Sequence, residues 1–254
     1  MIIDTHCHLS HEDYDNIDEV VKNMDGNIMI ISGVNDTTNE EVIKYIEQYE
    51  NVYGMIGIHP SDVDTITEMT FSNLEKFLQN PKIVAIGEIG LDYHYPDIDK
   101  EKQKQYFIQQ ILLAKKYHKP IVIHSRDAYQ DTYNILKEYT DKNMKIVMHC
   151  YSYSLESAKQ LLKLGVKFGI GGVLTFKNGK KLQEVVRELD LSNFLLETDS
   201  PYLAPEPLRG TKNEPKNVIL VAKKIAEIKN IPLEKVISST TATAICQFDL
   251  PIQL

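Results

Sequence analysis

Short apolar runs alternate with longer amphipathic segments over most of the chain. Several runs, such as NIMIISGV and KPIVIHS, are almost continuously apolar and rich in β-branched residues. This pattern is typical of strands that are covered on both faces, as in a parallel sheet. Eight runs have strand length, and they predict strands at 2–9, 27–34, 52–59, 83–91, 120–125, 145–150, 166–172 and 193–199.

The segments between these runs carry apolar residues at helical spacing. The clearest is 100–118, and the same spacing occurs in 38–49, 127–139, 155–164 and 215–229. Asp127 is expected to cap its helix with its side chain, and Pro215 suits a first helical turn.

Eight strands that alternate with helices in 254 residues predict a (β/α)₈ TIM barrel, an α/β fold, as one domain over 1–254. An open doubly wound sheet is the alternative. It is disfavoured because no G-x-G-x-x-G phosphate motif follows the first strand.

Composition narrows the class of protein. Apolar residues make up 43% and charged residues 25% of the chain, which is typical of a globular protein, and three cysteines are too few for a disulfide framework. No apolar run approaches the roughly 20 residues of a membrane span, so we expect a cytoplasmic protein with no membrane partner. The net charge of −8 indicates that local cations or metal, rather than a basic surface, would hold any phosphate ligand.

The candidate chemistry lies at the predicted strand ends. His6 and His8 are one residue apart, so on a strand both imidazoles face the same side, which could be a metal site or only a solvated face. In a barrel the C-terminal strand ends form one rim, where active sites lie. The strand-end residues are His6, His8, His59, Glu88, His124, His149 and Asp199.

Four of these histidines, with Glu88 and Asp199, could hold two divalent ions if one carboxylate bridges them. Glu88 is the best candidate for the bridge. The neighbouring Gly87 and Gly90 would let it approach metals, or they mark a bulge. Asp199 in TDSP could alternatively cap a helix.

Successive motifs resemble those of one known family. IDTHCHL, GEIGLDYHY, PIVIHSRDA, MHCYS, GVLTFKN and LLETDSPYLAPEPLRGTKNEP look like the motifs of the TatD family of metal-dependent deoxyribonucleases, within the amidohydrolase superfamily. The resemblance runs from residue 2 to about residue 245, with the motifs in order. It implies a (β/α)₈ barrel with a dinuclear divalent metal site that hydrolyses DNA phosphodiester bonds, often as an exonuclease.

The resemblance also implies roles for individual residues. His6 and His8 would bind one metal, His124 and His149 the second, and Glu88 would bridge the two. Asp199 would be a ligand and the proton acceptor. The chain departs from the family pattern at Ser10, Tyr153 and Leu208, which puts the fit of the substrate in question rather than the metal chemistry.

Further residues are candidates for contacting substrate. Arg126 could clamp a phosphate, with Arg209, Lys177 and Lys212 as weaker candidates. His59 could donate a hydrogen bond to the phosphate, or it could only support the residues that bind metal. Tyr93, Tyr95, Tyr151 and Tyr202 could stack on bases or simply pack in the core. The negative net charge favours short or single-stranded DNA, and no obligate protein partner is inferred.

Two other functions stay open at this stage. The same dinuclear site could hydrolyse a small ester, lactone or amide, as other amidohydrolase barrels do. A barrel without catalysis could serve only for binding, although loss of a ligand would be its mark and all six proposed ligands are present. The metals are expected to be Mg, Mn or Zn, which these ligands do not distinguish.

Overall fold

The structure is a computed structural model that describes residues 1–97 and 99–252. Its strands form one parallel eight-stranded sheet in which spatial order follows sequence order. The strands are β1 (Ile3–Cys7), β2 (Ile28–Ser32), β3 (Val52–Ile56), β4 (Ile83–Asp92), β5 (Ile121–Arg126), β6 (Ile146–Met148), β7 (Val166–Ile170) and β8 (Phe194–Leu196). The predicted strands and the predicted (β/α)₈ barrel are therefore confirmed.

Helices alternate with the strands. They are α1 (Ile17–Lys22), α2 (Asp36–Gln48), α3 (Thr70–Phe77), α4 (Lys100–Lys116), α5 (Tyr129–Tyr139), α6 (Leu155–Leu162), α7 (Lys180–Glu188), α8 (Val218–Lys229) and α9 (Leu233–Phe248). The five predicted helical segments correspond to α2, α4, α5, α6 and α8. Among the helices of the described chain, none has the length and apolarity that a membrane-spanning segment needs.

Side chains cap several of these helices, because the first backbone N–H groups of a helix have no partner within it. Asn35 accepts a hydrogen bond from the N–H of Thr38 at the start of α2, and Pro215 opens a short 3₁₀ turn that leads into α8. The predicted capping role of Asp127 is wrong. α5 begins after Ala128, and Asp127 instead turns the chain with a φ of 53°, so its carboxylate is not directed at the helix N-terminus.

The barrel closes between β8 and β1 through the residues that follow each strand. The N–H of His8 donates to the carbonyl of Ser200 at 2.7 Å, and the N–H of Asp199 donates to the carbonyl of His6 at 2.9 Å. The buried Asp4 accepts the N–H of Thr198 at 3.0 Å and its hydroxyl at 2.5 Å. These bonds fix Asp199 beside the end of β1.

Two apolar clusters stabilise the barrel. The larger one lies between the strands and the surrounding helices. The smaller one fills the N-terminal end of the barrel interior, where inward side chains such as Val122, Val147 and Leu195 pack with Phe248 at the end of α9. A fully buried apolar side chain of this size contributes about 1.5–3 kcal/mol. The opposite end of the interior is free of this filling and carries the polar site.

Candidate metal centre

All seven strand-end residues of the sequence prediction meet at the C-terminal end of the barrel. His6, Glu88 and His124 lie within strands, whereas His8, His59, His149 and Asp199 come just after them. Three sets of these side chains offer ligand atoms within 4.8 Å of one another. The sets are His6 with His149 and Asp199, His6 with His8 and Glu88, and His59 with Glu88 and His124.

The Glu88 carboxylate lies at the centre and divides four imidazoles into two pairs. Its Oε2 is 3.2 Å from Nε2 of His6 and 3.7 Å from Nε2 of His8. Its Oε1 is 2.7 Å from Nδ1 of His124 and 2.6 Å from Nε2 of His149. A carboxylate with one oxygen facing each pair has the arrangement needed to bridge two ions.

Asp199 lies on the His6 and His8 side of this centre. Its Oδ1 is 3.7 Å from Nε2 of His6 and 3.4 Å from Nε2 of His8. The alternative role of Asp199 as a helix cap is wrong, because the chain turns after it and the next helical segment is Pro215–Asn217. Asp199 has a φ of 53°, and a non-glycine residue in this region carries strain of the kind found at functional sites.

The far nitrogens of two imidazoles face hydrogen-bond acceptors. Nδ1 of His8 is 3.3 Å from the carbonyl of Ser32, and Nε2 of His124 is 3.2 Å from Oδ2 of Asp92. Because a carbonyl or carboxylate oxygen only accepts, the far nitrogen would keep its proton when a metal displaces the proton beside Glu88. The nitrogen that faces Glu88 would then supply the lone pair that a metal ligand requires.

Glu197 lies near the far nitrogen of His149 but beyond hydrogen-bond distance, and that nitrogen has no hydrogen-bond partner among the described residues. Oε1 of Glu197 lies 3.9 Å from Nδ1 of His149 and accepts the N–H of Cys150 at 2.5 Å. Glu197 is fully buried, and its carboxylate occupies space left by Gly169, where a Cβ would lie 2.0 Å from Oε2. Burial raises the pKa of Glu197 to about 8.

His59 differs from these histidines. Its Nδ1 accepts the backbone N–H of Ser61 at 3.1 Å, and that N–H can only donate. The proton of the neutral ring is therefore on Nε2, which lies 3.6 Å from Oε1 of Glu88 and faces the site. Although His59 belongs to one of the three geometric sets, its tautomer makes it a hydrogen-bond donor rather than a ligand.

The carboxylates of the centre are ionised. Burial alone would raise the pKa of Glu88, but the neighbouring imidazoles, with His149 first, outweigh it and hold the pKa well below its usual range. For Asp199, burial also acts upwards, and the hydrogen bond from His8 and the nearby imidazoles lower the pKa.

The imidazoles separate into two groups. Burial opposes protonation of His8 and His124, but hydrogen bonds to neighbouring carboxylates outweigh it and raise both pKa values to about 9. For His6 and His59, burial dominates and lowers the pKa to about 4. Without metal, His8 and His124 therefore hold a second proton at neutral pH, whereas His6 and His59 are neutral.

The donor set fits divalent metal. Imidazole nitrogens and carboxylate oxygens are the ligands of Zn and Mn, and two ionised carboxylates balance the charge of the ions. His6 is fully buried, and neither of its ring nitrogens has a hydrogen-bond partner of good geometry among the described residues. An unsatisfied buried polar group costs about 1–3 kcal/mol, which coordination by His6 would remove.

The glycines near Glu88 allow close approach between β4 and β5. Gly90 has a φ of 142°, and a Cβ there would lie 2.0 Å from the carbonyl oxygen of His124. The pairing of β4 with β5 shifts register between Ile86 and Ile89. The glycines therefore flank an irregularity in the strand pairing and also allow close approach, and Glu88 lies beside His124.

A cavity of about 400 Å³ opens from the cluster to the surface. Glu88, His59 and Ser10 are among its lining residues, but Arg126 and Arg209 are not. Arg126 is exposed at the end of β5 with its guanidinium 5.9 Å from the ring centre of Tyr95, and Arg209 lies 4.4 Å from that of Phe176.

The four candidate tyrosines have different environments. Tyr202 lines the cavity and Tyr95 is exposed. Tyr151 is buried, and Tyr93 donates to Asp131 at 2.7 Å, so both are packed.

Tyr153 is one of the departures from the family pattern. Its hydroxyl lies 2.9 Å from that of Ser125, so Tyr153 supports the end of β5.

Sequence analysis did not single out Asp92 or Glu197. Glu197 precedes Asp199 by two residues, so on a strand the two side chains face the same side, and this spacing could have identified Glu197 from the sequence. Asp92 follows Glu88 by four residues and so also has the same strand parity as Glu88, but the contact of Asp92 with His124 depends on the shifted register of β4 and β5.

Comparisons with known proteins find similar sequences over almost the whole chain. The family model described as TatD related DNase matches residues 3–249. An uncharacterized metal-dependent hydrolase of Bacillus subtilis, YabD, is 40% identical over 248 residues, which cover 96% of this chain and 97% of that protein.

Solved structures have the same architecture. The crystal structure of YjjV, a TatD homologue from Escherichia coli, matches with a TM-score of 0.91 and 27% identity over 98% of both chains. An uncharacterized amidohydrolase from Saccharomyces cerevisiae shares the fold at a TM-score of 0.78 and 19% identity, over 98% of this chain and 100% of that one. The match of the family model over almost the whole chain shows that the protein belongs to the TatD related DNase family.

Proposed function

We propose that this metal-dependent hydrolase of the TatD family cleaves DNA phosphodiester bonds, as an exonuclease on single-stranded or short substrates. The observation that carries the proposal is the Glu88 carboxylate, which faces His6 and His8 with one oxygen and His124 and His149 with the other. The family description, TatD related DNase, supports DNA as the substrate.

Two divalent ions, Mg, Mn or Zn, would be held by six residues. His6 and His8 would hold one, His124 and His149 the other, with Glu88 between them and Asp199 on the His6 side. When bound, the ions supply Lewis acidity, which draws charge from a phosphodiester oxygen and lowers the pKa of water.

Asp199 is the group that accepts a proton. Its low pKa keeps it ionised at neutral pH, and its Oδ1 lies within 4 Å of two imidazoles that would bind metal. As the new P–O bond forms and the bond to the leaving sugar oxygen breaks, Asp199 takes the proton of the attacking water.

His59 stabilises the charge on the phosphate. Because Nδ1 of His59 accepts the backbone N–H of Ser61, its Nε2–H can donate to a phosphate oxygen beside the Glu88 and His124 side chains. A hydrogen bond to a charged oxygen contributes about 1.5–3 kcal/mol.

Arg126 is proposed to contact a phosphate outside the cavity. It follows His124 by two residues and pairs in register with Asp92, so its exposed guanidinium lies at the rim near the centre. Arg209 is a weaker candidate, because it stacks on Phe176 in the loop after β7.

The test is digestion of 5′- and 3′-labelled oligonucleotides, single- and double-stranded, with Mg, Mn or Zn added, beside elemental analysis of the purified protein. We expect bound divalent metal and stepwise, metal-dependent release of nucleotides from one end. Turnover of generic esters, lactones or amides without any hydrolysis of DNA would favour the small-molecule alternative instead.

A further inference from the structure

The loops at the C-terminal rim divide by charge. The loops after β1 and β3, residues 8–16 and 57–69, contain carboxylates and no lysine or arginine. The carboxylates there are Glu12, Asp13, Asp15, Asp62, Asp64 and Glu68. The rim cations lie elsewhere: Arg126 ends β5, Lys177 lies in the loop after β7, and Arg209 and Lys212 lie in the loop after β8, together with carboxylates such as Glu206 and Glu214. The site is therefore bordered by negative charge alone on one side and by mixed charge on the other.

The cavity extends to the negative side. Glu12, Asp13 and Asp62 line it together with the metal-centre residues. Within residues 1–97 and 99–252, no lysine or arginine forms an ion pair with these three carboxylates. Lys212 lies close to these carboxylates, but its ammonium group donates to the backbone carbonyl of Asp13.

Neutral groups complete the cavity. The exposed ring of Tyr202 lies 5.9 Å from the ring of His8 and offers a face for stacking. Asn35 and Ser61 also line the cavity, and the side-chain amide of Asn35 donates to Asp62 at 3.0 Å. A cavity of about 400 Å³ is within the range of small-ligand pockets, roughly 300–1,000 Å³. It suits one compact group rather than a run of nucleotides.

We propose that this cavity holds the uncharged terminal nucleoside of the substrate, which ends in a free hydroxyl, while the remaining strand leaves over the loops after β5, β7 and β8. The inference rests on the proposed nuclease function. Sugar hydroxyls and base amino groups can donate to Glu12, Asp13 and Asp62. A terminal phosphate would instead lie among these carboxylates, where like charges repel.

The test compares single-stranded oligonucleotides of one sequence that carry either a hydroxyl or a phosphate at the end that is attacked. Metal-loaded enzyme should cleave the hydroxyl-ended strand about tenfold to a hundredfold faster, because each like-charge contact opposes binding. The double variant E12Q/D62N should reduce this ratio, mainly by increasing the rate on the phosphate-ended strand. E234Q is the matched control, because Glu234 is exposed on α9, away from the cavity, and its removal should leave the ratio unchanged.

The unfolding temperature of each variant shows whether a changed ratio of cleavage rates is due to the removed carboxylates or to a loss of folding. If E12Q/D62N unfolds, E12Q alone replaces it, since Glu12 is exposed. Equal rates on both strands, or faster cleavage of the phosphate-ended strand, would overturn the inference and leave the nuclease function intact. Failure to cleave either strand with any of the three ions would overturn both.

Discussion

The two ends of the barrel interior are built by the same strands but have opposite chemistry. Three inward positions at the N-terminal end are Val122, Val147 and Leu195, and they pack with Phe248. Two residues further along each strand, the inward positions are His124, His149 and Glu197. One step of the strand repeat thus separates packed apolar filling from the candidate metal centre.

Stability and chemistry therefore depend on opposite ends of the barrel interior. The N-terminal end buries apolar surface, so it stabilises the fold. The C-terminal end contains buried ionised carboxylates, the strained Asp199, and His6, whose ring nitrogens have no hydrogen-bond partner among the described residues, and all three features oppose folding in the absence of a ligand. Substitutions at the two ends should therefore change different quantities.

The largest effect is expected for D199N, which should lower kcat about 10³–10⁴-fold, because the amide cannot accept the proton. Asn tolerates the left-handed backbone, so folding should be kept. Asp25 has a φ of 49° at the opposite end and gives the matched control D25N, which should retain activity. Steady-state kinetics with a metal-saturated enzyme measure both variants, and an active D199N would contradict the role of Asp199 as the base.

The opposite result is expected at the apolar end. F248A should lower the free energy of unfolding by about 3–5 kcal/mol, because it leaves a cavity in the packed interior. The kcat measured well below the unfolding temperature should stay within a few-fold of the original. Denaturant unfolding and kinetics on the same preparation test this, and a large loss of kcat in folded F248A would show that the two ends are coupled.

A smaller loss of activity is expected for H59A, about 10–100-fold in kcat, because one hydrogen bond to a charged oxygen is lost. Metal content should not change, since the tautomer of His59 makes it a donor. The comparison variant H8A should lose metal, because it removes a ligand. Elemental analysis distinguishes the two roles, and loss of an ion from H59A would assign His59 to the metal ligands.

The smallest expected effect is on the pH dependence of metal binding. His8 and His124 have pKa values of about 9 without metal, so each is protonated at neutral pH and must release a proton when metal binds. Apparent affinity should rise up to about tenfold per pH unit for each proton released, and level off above pH 9. Calorimetry in buffers of different ionisation enthalpy measures the protons, and binding without proton release at pH 7 would contradict the shifts.

Much of the fold followed from local pattern, because strand and helix repeats depend on neighbours in sequence. The eight apolar runs predicted the eight strands, and strand parity placed the imidazoles on one rim. The cap of α5 was not predictable, since Asp127 is used to turn the chain after β5 reaches Arg126. Among the missed positioning groups, Asp92 depends on the shifted pairing of two strands.

By itself, the sequence determined the order of the strands, the periodicity of each element and the kinds of side chain at the strand ends. Only the tertiary structure decided what each histidine can do. His8 faces a carbonyl oxygen of β2, whereas His59 receives the N–H of Ser61 in the turn after β3. The physical reason is that a neutral imidazole carries one proton, and the partner of the far nitrogen determines which nitrogen remains free for metal or substrate.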